Sequence, residues 1–230
     1  MVDPFQKFRD SRLFDIAMLA PNCYQFGADR YYHNYSHAME VLQALNQMTE
    51  FETTPAQMLA AIWHDAIYFP GAGSDANERC SSMALGQAAQ KVNTKTPLTD
   101  DEKHAVNRAQ DLIEQTSIEV HLQATYAMTA AVELSQLLDA DLSGLAKPWP
   151  QFVDRQIAII HENRGDANDP KALEASAKFL SNFLEKYRRQ RKSIYRTARG
   201  IALWEAAATE NIERWVQQNV KEDSQEDSGC

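Results

Sequence analysis

Tyr32-His33-Asn34-Tyr35-Ser36-His37-Ala38 carries two histidines four residues apart, and His64-Asp65 follows 27 residues after His37. An acid-rich stretch, Leu138-Asp139-Ala140-Asp141-Leu142-Ser143, comes third. Taken singly, each of these residues reads as structural: His64-Asp65 as a helix end, Asp141 as a hydrogen-bonded core acid. Taken in order, H…HD…D is a mixed imidazole–carboxylate set. Such a set suits hard or borderline divalent ions that activate water.

Working outward from these clusters, the pattern is helical almost throughout. Eight Gly and eight Pro punctuate the chain, and runs of alternating β-branched residues are lacking. A helix from near Ser36 to about Thr49 would carry Ala38, Val41, Leu42, Leu45 and Met48 on one face, with His37 at its buried end. Thr54-Pro55 reads as an N-cap followed by Pro at the first helical position. In the helix that follows, Asp65 extends the face of Met58, Ala61 and Ile62. An ionisable group on an apolar face needs a partner. Pro70-Gly71-Ala72-Gly73-Ser74 then forms a loop. Asp75-x-x-Glu78 and Thr99-x-x-Glu102 resemble capping boxes for helices over 76–93 and about 100–117.

A further helix is expected over about 125–145. Its stripe of Leu134, Leu137, Leu138, Asp141 and Leu145 contains a single carboxylate, so spacing nominates Asp141 over Asp139. Upstream, residues 3–20 have helical spacing, and Pro21-Asn22 is expected to open a turn. Three more helices are expected near 149–163, 170–187 and 196–219, the middle one capped by Asp169-Pro170. His104 and His121 lie on polar stretches and read as solvated. The run Lys186–Lys192 reads as a solvated helix end, or else as a guide for a polyanionic substrate.

The 230 residues suffice for one domain over 1–220, with a metal-site core at about 28–145 and a C-terminal helical part at about 149–219. Residues 221–230 lack an apolar anchor and are expected to be disordered. A net charge of −9 argues against a partner bound as extended nucleic acid, but not against a phosphate substrate whose charge a metal can offset. No apolar run reaches membrane-spanning length, and the mixed polar start does not read as a signal peptide. Three scattered cysteines, Cys23, Cys80 and Cys230, fit a reduced, cytoplasmic chain. The oligomeric state is not legible.

The same residues resemble the HD-domain superfamily of metal-dependent phosphohydrolases. Within it the likeness is to small bacterial proteins described as predicted phosphohydrolases. The Tyr32–Ala38 run is also similar to one in cyclic-nucleotide phosphodiesterases, as are His64-Asp65-Ala66-Ile67-Tyr68-Phe69-Pro70-Gly71 and Asp141-Leu142-Ser143. Base-binding parts of the phosphodiesterases have no match in the C-terminal region. The resemblance implies an all-α, HD-domain-like helical bundle and a phosphoester hydrolase acting on a small phosphorylated substrate, with a nucleotide favoured.

His37, His64, Asp65 and Asp141 would hold one or two divalent ions (Mn, Mg, Zn, Fe, Co or Ni), with Asp65 also counted as catalytic. By the same resemblance His33 would protonate the leaving oxygen, a role that suits an imidazole. Its rival roles are a surface loop residue or a ligand to a second ion. Asn34, Asn77 and Glu78 form a second tier near substrate, with Glu78 alternatively completing its capping box. A metal-binding HD regulatory protein without turnover is the alternative function.

Overall fold

The computed structural model describes residues 4–25, 30–48, 52–73, 75–121, 131–190 and 193–220. The architecture is all-α, as the helical periodicity predicts, with no strand among the described residues. The helix expected over 3–20 is two short ones, α1 (Pro4–Arg9) and α2 (Arg12–Ala17), and α3 (Ala20–Tyr24) runs into the expected break. The first break falls at Ser11, whose amide and hydroxyl both donate to the Phe8 carbonyl, at 3.1 and 2.7 Å. Such local bonding competes with helix continuation. Pro21, expected to open a turn, instead lies in the first turn of α3, where its missing N–H leaves no bond unmade.

The helix α4 (Tyr35–Gln47) buries His37, Ala38, Val41, Ala44 and Leu45 along one face. Next, α5 (Pro55–Trp63) begins with a reciprocal cap. The Thr54 hydroxyl accepts from the Gln57 amide, and the Gln57 side chain accepts from the Thr54 amide. Every residue of α5 from Ala56 to Trp63 is buried. A helix that is apolar all round belongs at the centre of a bundle.

The next two helices are α6 (Ala76–Lys95) and α7 (Asp100–Glu114). Thr99 and Glu102 form the expected capping box at the start of α7. The one expected at Asp75-x-x-Glu78 is absent. Asp75 adopts a left-handed backbone with φ 60°, its side chain makes no cap bond, and it pairs with Arg79 at 3.2 Å. After α8 (Ile118–His121) comes α9 (Ala131–Asp141), which tightens into a 3-10 turn over Leu142–Ala146. The start of the helix expected from about 125 lies outside the described residues. α4, α7 and α9 pack around α5.

The remaining elements are α10 (Trp149–Arg164), α11 (Pro170–Gln190), α12 (Ala198–Gly200), a π-helical stretch Ile201–Glu205, and α13 (Ala206–Asn219). Asp169 caps α11 by accepting from the Lys171 amide at 3.0 Å. α11 packs on α13, and both α10 and α13 contact the 3-10 turn that follows Asp141. One hydrophobic cluster includes residues from Phe8 to Trp215. Its largest buried side chains, Trp63, Tyr187, Tyr195 and Phe152, come from both parts of the chain.

The C-terminal part also braces α9 through polar contacts. Glu205, in the π-helical stretch, accepts from the amides of Ile194 and Tyr195, and the Tyr195 hydroxyl donates to the Leu142 carbonyl at 3.0 Å. No described helix is long and apolar enough to cross a membrane. The tail 221–230 lies outside the described residues.

Candidate metal centre

His37 is placed by a cap. The Asn34 side chain accepts from the amides of Ser36 and His37, at 2.9 and 3.2 Å, and so starts α4 at Tyr35. This sets the His37 imidazole in the first turn, tilted 33° against the Tyr32 ring at 4.7 Å. Asn34 was expected near substrate. Its oxygen is committed to the cap and its amide donates to the Tyr31 carbonyl at 3.0 Å, and it does not line the cavity described below.

His64 ends α5, at the tip of its fully buried run. Its Nδ1 lies 3.0 Å from the Ala61 carbonyl, which can only accept, so Nδ1 carries the proton. In the neutral ring Nε2 is then the lone-pair nitrogen, the form that ligates metals. Asp65 follows in a turn held by Arg30, whose guanidinium donates to the carbonyls of Asp65 and Ala66 at 2.9 and 3.2 Å. Asp141 arrives from α9, at the point where that helix becomes 3-10.

His37, His64 and Asp65 converge, and Asp141 lies against both histidines. His64 Nε2 lies 3.0 Å from Asp65 Oδ2, 3.3 Å from His37 Nε2 and 3.5 Å from Asp141 Oδ1. His37 Nε2 lies 3.1 Å from Asp141 Oδ1 and 3.6 Å from Asp65 Oδ2. Donor atoms about 2.1 Å from a common point sit roughly 3.0–3.4 Å apart, so the spacing fits coordination. The chemistry also fits: two imidazole nitrogens facing each other beside two carboxylates need a proton or a cation between them. His37, His64 and Asp65 form a group able to hold a metal ion.

The electrostatics show the same demand for positive charge. Burial disfavours a charged His64, but Asp65 and Asp141 outweigh it and hold its pKa well above the ordinary value. Burial likewise opposes ionisation of Asp65 and Asp141, yet the surrounding histidines hold both carboxyls below their usual range.

His33 occupies a separate position in the same cavity. Its Nδ1 lies 2.5 Å from Glu162 Oε1, and Glu162 Oε2 accepts from the backbone amides of Tyr32 and His33, at 2.8 and 3.0 Å. The ring stacks on Tyr68 at 3.9 Å. Burial lowers the His33 pKa, but Asp65 and the Glu162 hydrogen bond prevail and raise it. With Nδ1 committed to Glu162, Nε2 is the nitrogen left for proton exchange.

Two participants escape the sequence reading. His121, expected to be solvated, is 3 % exposed, with Nε2 3.2 Å from Asp141 Oδ2. Tyr187 and Arg196 both donate to its backbone carbonyl, each at 2.8 Å. A signal existed in the neighbouring Ile118 and Val120, which suggest an apolar segment. Glu162 is the second, with its side chain fully buried. It lies three residues after Ile159, but its face also carries Arg155, so no apolar-face signal marked it. His104 is exposed, as expected.

The site opens into a cavity of about 560 Å³, a size suited to a small ligand. Asn77 and Glu78 line it, as do His33, His37, His64, Asp65, His121 and Asp141. The Asn77 amide is tied to the backbone of Phe69, accepting from its N–H at 2.9 Å and donating to its carbonyl at 3.3 Å. It therefore shapes the loop over the cavity. Arg155, also in the lining, is ion-paired with Glu40. No known family profile matches the chain, and no curated protein matches it.

Proposed function

We propose that the protein is a cytoplasmic, metal-dependent phosphohydrolase of the HD type, cleaving a phosphoester of a small metabolite, with a nucleotide favoured. The observation that carries this reading is the meeting of His37, His64 and Asp65, with Asp141 against both histidines and His33 in the same cavity. Nothing in local helix formation requires these side chains to meet.

In this reading His37, His64, Asp65 and Asp141 would hold the ion, of a transition-metal or magnesium class. When bound, the cation supplies Lewis acidity, neutralising phosphoryl charge and acidifying water. The chain's own residues do the rest. His33 delivers a proton from Nε2 to the leaving oxygen. Glu162 keeps Nδ1 protonated and stabilises the charged ring before transfer. Tyr68 fixes the plane of the imidazole, so the proton is aimed rather than searching.

The test is turnover of the metal-loaded protein on nucleoside mono-, di- and triphosphates, cyclic nucleotides and guanosine polyphosphates. Metal-dependent hydrolysis of any of these supports the reading. Tight metal binding with no hydrolysis of any ester would replace it with the ligand-binding, regulatory alternative.

A pH profile tests the role of Glu162. The raised His33 pKa keeps the ring protonated above its ordinary value of about 6.5. Activity that needs the proton then falls as pH rises through the raised value. Glu162→Gln removes a charge that holds the proton, so the fall should move to lower pH, with metal content unchanged. An unmoved alkaline limb would show that Glu162 does not control the acid.

A further inference from the structure

We infer that Arg155 binds the phosphate of the substrate in this cavity. This rests on the phosphohydrolase reading and adds to it the residue that positions the phosphate beside the metal centre. The juxtaposition that carries it is one guanidinium bordered by three segments, each of which also carries a residue of the site.

Arg155 belongs to α10 and lines the cavity. Its Nη2 donates to Glu40, which lies on α4 three residues after His37. Its Cδ and Nε lie against Gly144, three residues after Asp141. A Cβ at Gly144 would come within 3.5 Å of both atoms and within 3.2 Å of the Tyr32 hydroxyl. Tyr32 precedes His33, and its ring packs on that of His37 at 4.7 Å. The lack of a side chain at Gly144 therefore lets the guanidinium settle beside the helix of His37, the turn after Asp141 and the Tyr32 hydroxyl. Asp141 and Arg155 both act on that hydroxyl: burial first, and then Asp141, raise its pKa, and Arg155 opposes them.

The rest of the lining leaves the task to Arg155. Its acidic residues repel a phosphoryl oxygen, and Ile159, Phe179, Leu180 and Phe183 offer it no hydrogen bond. Arg155 is the one Lys or Arg among the described lining residues. A guanidinium carries five N–H donors in a planar fork that suits phosphate. Among the described residues, Nη2 donates to Glu40 and Nη1 to the Gln151 carbonyl at 3.2 Å. The Nε–H and the second hydrogen of each terminal nitrogen are left for a ligand. Glu40 reduces the field of the guanidinium without cancelling it, because the Glu40 side chain is 36 % exposed and solvent screens the pair. The same pair holds a long side chain in place, which lowers the entropy cost of gripping a ligand.

The test titrates inorganic phosphate calorimetrically into the Mn²⁺-loaded full chain. Mn²⁺ content is measured alongside, with kcat and KM on p-nitrophenyl phosphate. Arg155→Gln should weaken phosphate about tenfold or more, the loss expected for a hydrogen bond to a charged group, and raise KM by a similar factor. Mn²⁺ content should not change. Arg155→Lys keeps the charge without the fork and should bind phosphate with intermediate affinity. Arg188 pairs with Glu213 outside the lining, so Arg188→Gln should leave phosphate affinity unchanged and exclude a mere effect of net charge.

Arg155→Gln alone leaves Glu40 without its cation, so the double variant Glu40→Gln/Arg155→Gln is the second measurement. It replaces the ion pair by two amides able to bond each other, and should remain as weak toward phosphate as Arg155→Gln. Wild-type phosphate affinity in the double variant, or loss of Mn²⁺ in step with phosphate, overturns the inference while the hydrolase reading stands. Weakened phosphate binding in both Arg155→Gln variants, with no hydrolysis of any ester by the wild type, supports the subsite and defeats the hydrolase reading.

Discussion

Asp141→Ala is expected to lose bound cation and phosphoester hydrolysis together, each by more than about a hundredfold. Even residues that only orient metal ligands typically contribute 10- to 100-fold, and a direct donor should contribute more. Asp141 is the only one of the four whose carboxylate reaches both sides of the site: Oδ1 toward His37 and His64, Oδ2 toward His121. Its loss leaves three histidines without that counter-charge.

Asp139→Ala is the control, and the structure says why it should differ. The Asp139 carboxylate points away from the site, accepting from the amides of Arg196 and Thr197 and from the Thr197 hydroxyl at 2.7–2.8 Å. It packs so closely on Gly200 that a Cβ there would clash with Oδ2. Removing it strands buried donors, so stability should fall by about 3 kcal/mol while metal content in the folded protein persists. Metal analysis, phosphate release and thermal denaturation on both variants separate the two effects. Full metal stoichiometry and turnover in Asp141→Ala would end the assignment of Asp141 as a ligand.

The second large effect is expected at His33. His33→Asn should lower turnover of an unactivated phosphoester by about a hundredfold or more, the usual contribution of a positioned acid. Metal content should be unaffected, because His33 is anchored to Glu162 and Tyr68 rather than to the four candidate ligands. On a p-nitrophenyl ester the loss should be much smaller, since that leaving group departs without a proton. Equal losses on both esters would argue for a binding role. Loss of metal together with turnover would make His33 a ligand to a second ion.

Local features of the chain were readable where the bonding partners are neighbours. Thr54 with Gln57 and Thr99 with Glu102 close their caps within three residues, so the residue types alone specify the geometry. The same short-range rule failed at Asp75. A left-handed backbone turns its side chain away from the cap, and no local pattern announced that conformation. Ser11 breaks the first helix by bonding Phe8, a competition that apolar periodicity does not register.

Asp65 and Asp141 were legible because each read as a carboxylate on an otherwise apolar helical face, and the histidines because of their order before them. Asp65 read as extending the face of α5, although the helix ends at Trp63 and Asp65 lies in the turn just beyond it, and Asp141 lies in the leucine seam of α9. Burying either without a counter-charge is unfavourable, so each position implied a partner before any partner was known. The sequence by itself therefore determined the helical class, the main caps and which side chains needed an opposite charge. Only the tertiary structure decided who supplies it. Glu162 reaches His33 across 129 residues and His121 reaches Asp141 across 20. Such pairings join segments that only the tertiary packing brings together. Side-chain periodicity reports which face of a helix is buried, but not what it will meet there.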